Sequence, residues 1–158
     1  MIETEELLTL IPHRSKMKLI SRVIDYNIDE SIRAEYDVTK DCLFYDPVVN
    51  GVPAWAGFEF MAQAISALSG IRDRERNKKS RFGFLLSIMS MQIYIPVFKP
   101  GSTLDIQMKE CDCMDQIFTF DGIINVDNKK AMEGKMMIMD VNDEQFELIT
   151  KEQPKEHK

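Results

Sequence analysis

One carboxylate stands alone in the longest apolar stretch of this sequence. Between Val52 and Ile71 the only ionised residue is Glu59. Read as a helix, Glu59, Gln63, Ser66 and Gly70 recur at intervals of four, three and four residues, which places them on one face. A charged group on an otherwise buried helix must be paired, neutralised or turned toward a cavity. Burial would raise its pKa toward the range where a general acid or base works near neutral pH. The plainer alternative is a carboxylate that hydrogen-bonds nearby backbone and does nothing else.

Two further features bear on chemistry. The amides of Val52 to Trp55 would precede any intrahelical acceptor and carry the positive end of the helix dipole. They suit a developing oxyanion or, equally, an ordinary cap from Asn50. The run Arg72, Arg74, Arg76, Lys78, Lys79 and Arg81 follows directly and sets six cations against Asp73 and Glu75. On a chain of net charge −6, such a patch reads as a dock for an acidic partner or as a solvated helix end.

Composition excludes several classes. The acidic balance, with no groove-reading motif, argues against a nucleic-acid binder. Two histidines, His13 and His157, are too few for a histidine-rich metal site. Three cysteines without a Cys-x-x-Cys, and no signal-peptide pattern, point to a reducing cytosol. The Val52–Ile71 stretch is long enough to cross a bilayer, but Glu59, Gln63 and Ser66 would then lie near its centre. A buried helix explains the same residues, and no membrane span is expected.

The elements that must hold Glu59 follow from the pattern on either side. Residues Met1 to Leu10 suit a short helix ended by Pro12. Leu19 to Ile28 and Ser31 to Val38 read as strands; in the second, Ile32, Ala34, Tyr36 and Val38 alternate with polar residues. Thr39 to Gly51 has no period and reads as a loop. Pro53 suits the first turn of the long helix, which should run to Ser69 with Gly70 as its stop. Leu86 to Phe98, Thr103 to Lys109, Ile117 to Val126 and Ala131 to Val141 read as four more strands. Met89, Met91, Met108, Met137 and Met139 fall on inward faces, as an adaptable interior or a plain core; Trp55 is placed to line or close a tunnel.

Strands on both sides of one buried helix indicate an α+β fold with a mostly antiparallel sheet. A sheet curled round a central helix is the hot-dog arrangement. One domain over residues 1–150 is expected, with 151–158 a flexible tail. A single curled sheet leaves strand edges open, so a dimer is expected, either homomeric or with a related hot-dog chain.

Three segments resemble one family in its own order. Ile11-Pro12-His13-Arg14 with Met17-Lys18-Leu19-Ile20-Ser21-Arg22-Val23 is similar to the Leu-Pro-His-Arg opening of the 3-hydroxyacyl-[acyl-carrier-protein] dehydratases. Val52-Pro53-Ala54-Trp55-Ala56-Gly57-Phe58-Glu59-Phe60-Met61-Ala62-Gln63-Ala64 resembles their central-helix motif, and Phe98-Lys99-Pro100-Gly101-Ser102-Thr103-Leu104 their Pro-Gly turn. Within that family the helix motif looks most like the dehydratase-like proteins of aryl polyene gene clusters. The resemblance implies loss of water from a 3-hydroxyacyl thioester on acyl carrier protein, giving the trans-2-enoyl thioester in fatty acid or aryl polyene synthesis. It implies that a histidine takes the C2 proton, that Glu59 handles the departing hydroxyl, that the Ala54 amide steadies the thioester oxygen and that Gln63 supports the site. It implies no metal or organic cofactor, and it makes acyl carrier protein the acidic partner of the basic run.

The sequence departs from the family at the histidine. Fourteen residues before Glu59, where the family carries its base, stands Tyr45. Three readings stay open. His13, with an ordinary pKa of about 6.5, enters the site or simply ties the helix-to-strand corner. Tyr45 or Asp46 acts instead, Tyr45 requiring strong activation. Or the chain is a non-catalytic acyl-binding or partner subunit beside a histidine-bearing hot-dog chain. An acyl thioesterase is a further alternative on the same fold.

Overall fold

Period-two alternation builds a sheet in this chain, and the one long apolar run builds the helix that the sheet wraps. The structure, a computed structural model, describes residues 1–79 and 82–151. Arg81 of the basic run, and all of the expected tail except Lys151, lie outside the described residues. Helix α1 (Thr4–Leu10) and a 3-10 turn (Ser15–Met17) lead into β1 (Arg22–Asn27) and β2 (Ser31–Asp37). A short β3 (Val52–Pro53) and a second 3-10 turn (Ala54–Ala56) precede α2 (Gly57–Glu75). Then come β4 (Phe82–Ile93), β5 (Val97–Phe98), β6 (Thr103–Met114), β7 (Ile117–Val126), β8 (Lys129–Val141) and α3 (Asp143–Lys151).

Six strands form one sheet in the order β1-β2-β6-β7-β8-β4, and β3 pairs separately with β5. Every pairing is antiparallel. Phe60, Met61, Ala64, Leu68 and Ile71 of α2 share one buried core with Ile32, Ala34, Leu104, Ile106, Met108 and Ile124 from the sheet. Each fully buried large side chain of this kind contributes about 1.5–3 kcal/mol. This is the expected hot-dog arrangement. Among the described residues no helix is long and apolar enough to cross a membrane.

The helix ends differ from expectation at both sides. Pro53 belongs to β3, paired with Val97, and the α-helix begins at Gly57. Gly70 does not stop α2, which continues to Glu75. A Cβ at Gly70 would collide with the backbone carbonyl of Leu10. The glycine therefore serves the close crossing of α1 over α2, not a left-handed turn.

Two other departures have local causes. β4 carries register shifts between Leu85 and Ser87 and between Ile88 and Ser90, so its simple alternation breaks. Met89 and Ile93, expected inward, are exposed. In β8 it is Met132, Met136 and Ile138 that are buried, one residue out of phase with Met137 and Met139. Helix α3 was not expected from the sequence. Its start carries a reciprocal cap, in which Asn142 Oδ1 accepts from the Gln145 amide (2.9 Å) and Gln145 Oε1 accepts from the Asn142 amide (3.1 Å). That is the capping-box geometry with Asn and Gln in its two places.

Candidate active site

Glu59 sits in the first turn of α2, and Gln63 stands one turn further on the same face. Gln63 is fully buried. Its Oε1 accepts from the Leu19 amide at 2.7 Å, and its Nε2 donates to the Met17 carbonyl at 2.7 Å and to Glu59 Oε1 at 3.2 Å. One amide side chain thus ties the segment before β1 to the helix carboxylate. The other end of that segment is tied by Arg14, whose guanidinium donates to the carbonyls of Leu8 (2.8 Å), Ile11 (2.6 Å) and His13 (2.9 Å). Two of those carbonyls come from the end of α1, which has no basic residue of its own in its last turn.

Held in this way, His13 faces Glu59 across a chain separation of 46 residues, with Nε2 4.0 Å from Oε1. This is too long for a direct hydrogen bond. Both side chains border a cavity of about 290 Å³, with Gln63, Ser66 and Ser69 along the α2 wall and Leu85, Ile138 and Asp140 along the sheet wall. His13 and Glu59 are 26% and 25% exposed, so the cavity opens to solvent at this end. Burial lowers the pKa of His13; the Glu59 charge opposes that shift and the Arg14 charge reinforces it. The neutral form of His13 is favoured accordingly. Its Nδ1 is buried and has no hydrogen-bond partner among the described residues. Among the described residues no three His, Cys, Asp or Glu side chains converge to hold a metal.

The structure brings together Glu59, Gln63 and His13, and leaves the other sequence candidates elsewhere. The Tyr45 hydroxyl donates to Asn50 Oδ1 (2.8 Å), and Asp46 Oδ1 accepts from the Val48 amide (2.8 Å). Both side chains fold their own loop, and neither borders the Glu59 cavity. Asn50 therefore caps no helix. The Ala54 amide donates to the Pro96 carbonyl at 2.9 Å, because β3 and β5 bring those backbones together. As placed, it is engaged and not free to receive an oxyanion. Trp55 is 54% exposed and packs edge-on against Phe44, away from the cavity.

Three of the six cations in the basic run are paired within the chain. Arg72 pairs with Glu110 (2.7 Å), Arg74 with Glu6 (2.7 Å) and Arg76 with Asp29 (3.1 Å). Arg72 also donates to the Ile28 carbonyl. Lys78 and Lys79 remain exposed. Ser69, Leu85 and Asp140 are cavity residues that sequence reasoning missed. Ser69 follows Ser66 at helical spacing and was in principle findable; Leu85 and Asp140 depend on sheet pairing.

Comparison with known proteins agrees with this geometry. A family model described as ApeP dehydratase, of the ApeP-like group, matches residues 5–149. The chain is 30% identical to the 3-hydroxyacyl-[acyl-carrier-protein] dehydratase FabZ of Campylobacter hominis, covering 89% of this chain and 99% of that protein. It is 29% identical to FabZ of Caulobacter vibrioides, covering 87% of each. Among solved structures, a chain of the dehydratase heterocomplex ApeI:P from Xenorhabdus doucetiae superposes with a TM-score of 0.83 at 26% identity, covering 91% of this chain and 96% of that one. A hypothetical thioesterase protein from Streptococcus pneumoniae shares the fold alone, at 10% identity and a TM-score of 0.60 over 77% of this chain and 85% of that one. With its helix glutamate and glutamine in place on a hot-dog fold, the chain belongs to the ApeP-like dehydratase family.

Proposed function

We propose that this chain removes water from 3-hydroxyacyl thioesters borne on acyl carrier protein, giving trans-2-enoyl thioesters in fatty acid or aryl polyene synthesis. The observation that carries the reading is the approach of His13 to Glu59 at the open end of one cavity. Neutral His13 accepts the C2 proton at Nε2. The step starts from a substrate-bound state in which Glu59 carries one proton; the C2–H electron pair becomes the C2=C3 bond as the C3–O bond breaks, and that proton goes to the departing hydroxyl, which leaves as water. The proton on His13 then returns to the Glu59 carboxylate, restoring both groups. Gln63 keeps Glu59 oriented throughout. We also place the chain in the cytosol, where its three free cysteines would stay reduced.

A second reading concerns a partner chain. β4 is an edge strand of 12 residues, and Leu85, Leu86, Ile88, Met89 and Ile93 on it are exposed. A long apolar edge of this kind favours pairing with another strand. The loop between β2 and β3 holds no histidine, and a similar chain occurs in a dehydratase heterocomplex. In this reading a second hot-dog chain, identical or related, pairs along β4, and a related one supplies a histidine to Glu59.

The test is loss of water from a 3-hydroxyacyl carrier protein, followed by mass as a decrease of about 18 units on the acyl group. Turnover by the chain alone that disappears in both Glu59→Gln and His13→Gln supports the first reading. Turnover only with a histidine-bearing partner, lost in Glu59→Gln and kept in His13→Gln, supports the second. Unchanged turnover in Glu59→Gln overturns both. Release of free thiol in place of water loss would make the chain a thioesterase.

A further inference from the structure

Every described arginine is engaged within the chain. Arg14 holds three carbonyls; Arg22, Arg33, Arg72, Arg74 and Arg76 hold carboxylates. The cations left for an outside partner are lysines, and two of them, Lys16 and Lys18, follow closely in the chain on His13, which borders the Glu59 cavity. Pro12 and His13 border that cavity, and Lys16 falls in the 3-10 turn that follows. Lys16 is exposed and Lys18 half-buried. Neither forms an ion pair among the described residues. Met17, between them, is 50% exposed.

We propose that Lys16 and Lys18, flanking Met17, are the docking surface for the acidic carrier protein that presents the acyl group to the Glu59 cavity. This rests on the dehydratase reading and adds to it the place where the carrier sits. Three observations support it. Lys18 is a partly buried cation that pairs with no carboxylate among the described residues, and burial lowers its pKa; an arriving anion offsets that desolvation. The chain as a whole is acidic, at −6, so an acidic partner is repelled except where cations stand clear of carboxylates. The backbone on both sides of Lys18 is pinned, since Gln63 holds the Met17 carbonyl and the Leu19 amide. A carrier bound there is registered against Glu59 through the same side chain. The run that begins in the last turn of α2, by contrast, has its described arginines paired and lies at the far end of a helix of 19 residues from Glu59.

The experiment gives one 3-hydroxyacyl group to the enzyme in two forms, on carrier protein and on free pantetheine. In Lys16→Glu/Lys18→Glu, kcat/KM on the carrier form is expected to fall by about tenfold or more and to lose much of its salt dependence. On the pantetheine form it stays within about twofold of the parent. Because Lys18 is half-buried, Lys16→Glu alone and Lys18→Gln are made as well, with the fold followed by circular dichroism. An equal change on both forms, or no change on either, overturns the proposal. So does a carrier-specific loss in Lys78→Glu/Lys79→Glu that the first pair does not show. If the chain alone turns over neither form, the dehydratase reading fails for the isolated chain. Docking is then read from the anisotropy of labelled carrier protein, which the Lys16/Lys18 variant must weaken by about tenfold; equal binding by variant and parent overturns the proposal.

Discussion

Gln63 reaches back one helical turn to donate to Glu59 Oε1 at 3.2 Å, while the same amide closes hydrogen bonds to Leu19 and Met17 from the segment that leads into β1. The carboxylate and the N-terminal segment are thus positioned by one buried side chain. Gln63→Leu leaves the buried Leu19 N–H without a partner, at about 1–3 kcal/mol, and frees the part-buried Met17 C=O. The expected outcome is a loss of about 1–3 kcal/mol in urea unfolding, together with a fall in kcat. A variant as stable as the parent would show that the bridge does not hold the segment.

Glu59→Gln keeps the shape of the side chain and removes its proton chemistry. Turnover is expected to fall by about 10²–10⁴-fold while stability changes little. If His13 and Glu59 work as a pair, the double variant Glu59→Gln/His13→Gln loses little more than either single variant. Multiplying losses would separate the two residues.

The His13 pKa lies below its ordinary value because the ring is desolvated. The unfolded chain, with a histidine pKa of about 6.5, then takes up a proton that the folded chain resists. Stability is accordingly full above about pH 6.5 and is lost as pH falls from there through the lowered folded value. His13→Gln removes this part of the slope, seen by comparing unfolding at pH 7 and pH 5. For the same reason the acid limb of kcat/KM lies below about pH 6.5, where His13 begins to lose its neutral form.

Arg14 separates position from charge. Arg14→Gln removes the bonds to three carbonyls and the cation beside His13, so kcat falls and the acid limb moves to higher pH. Arg14→Lys keeps the cation without the planar fork. It should lower kcat and leave the limb in place. Identical pH profiles in all three proteins would show that the Arg14 charge does not reach the ring.

Gly70→Ala tests the helix crossing by its sign. In an open helix interior or at its end the change to alanine stabilises or costs little, by about 1 kcal/mol or less. Against the Leu10 carbonyl the added methyl forces α1 off α2, and a loss of about 1–3 kcal/mol is expected. Thermal unfolding checks it, with a raised Tm as the outcome that contradicts the packing.

The sequence alone determined the α+β class, the long apolar helix and the single face that carries Glu59, Gln63 and Ser66. Those follow from local periodicity, which a chain expresses whatever its tertiary neighbours. It also marked His13 and Gln63 as a pair of candidates, through the family-like segments around them. The tertiary structure decided what these residues touch. Gln63 meets Leu19, and His13 meets Glu59, only because α1 crosses α2 at Gly70 and turns its C-terminal segment over the helix. Long-range packing also settled the misread features. The Ala54 amide is taken by Pro96 because β3 pairs with β5, Gly70 lies inside α2 because Leu10 needs the space, and the alternation of β4 breaks at its bulges. The ion pairs of Arg72, Arg74 and Arg76 belong to the same class. Their carboxylates lie tens of residues away, in α1, the β1–β2 turn and β6, where no spacing along the chain could place them beside the basic run.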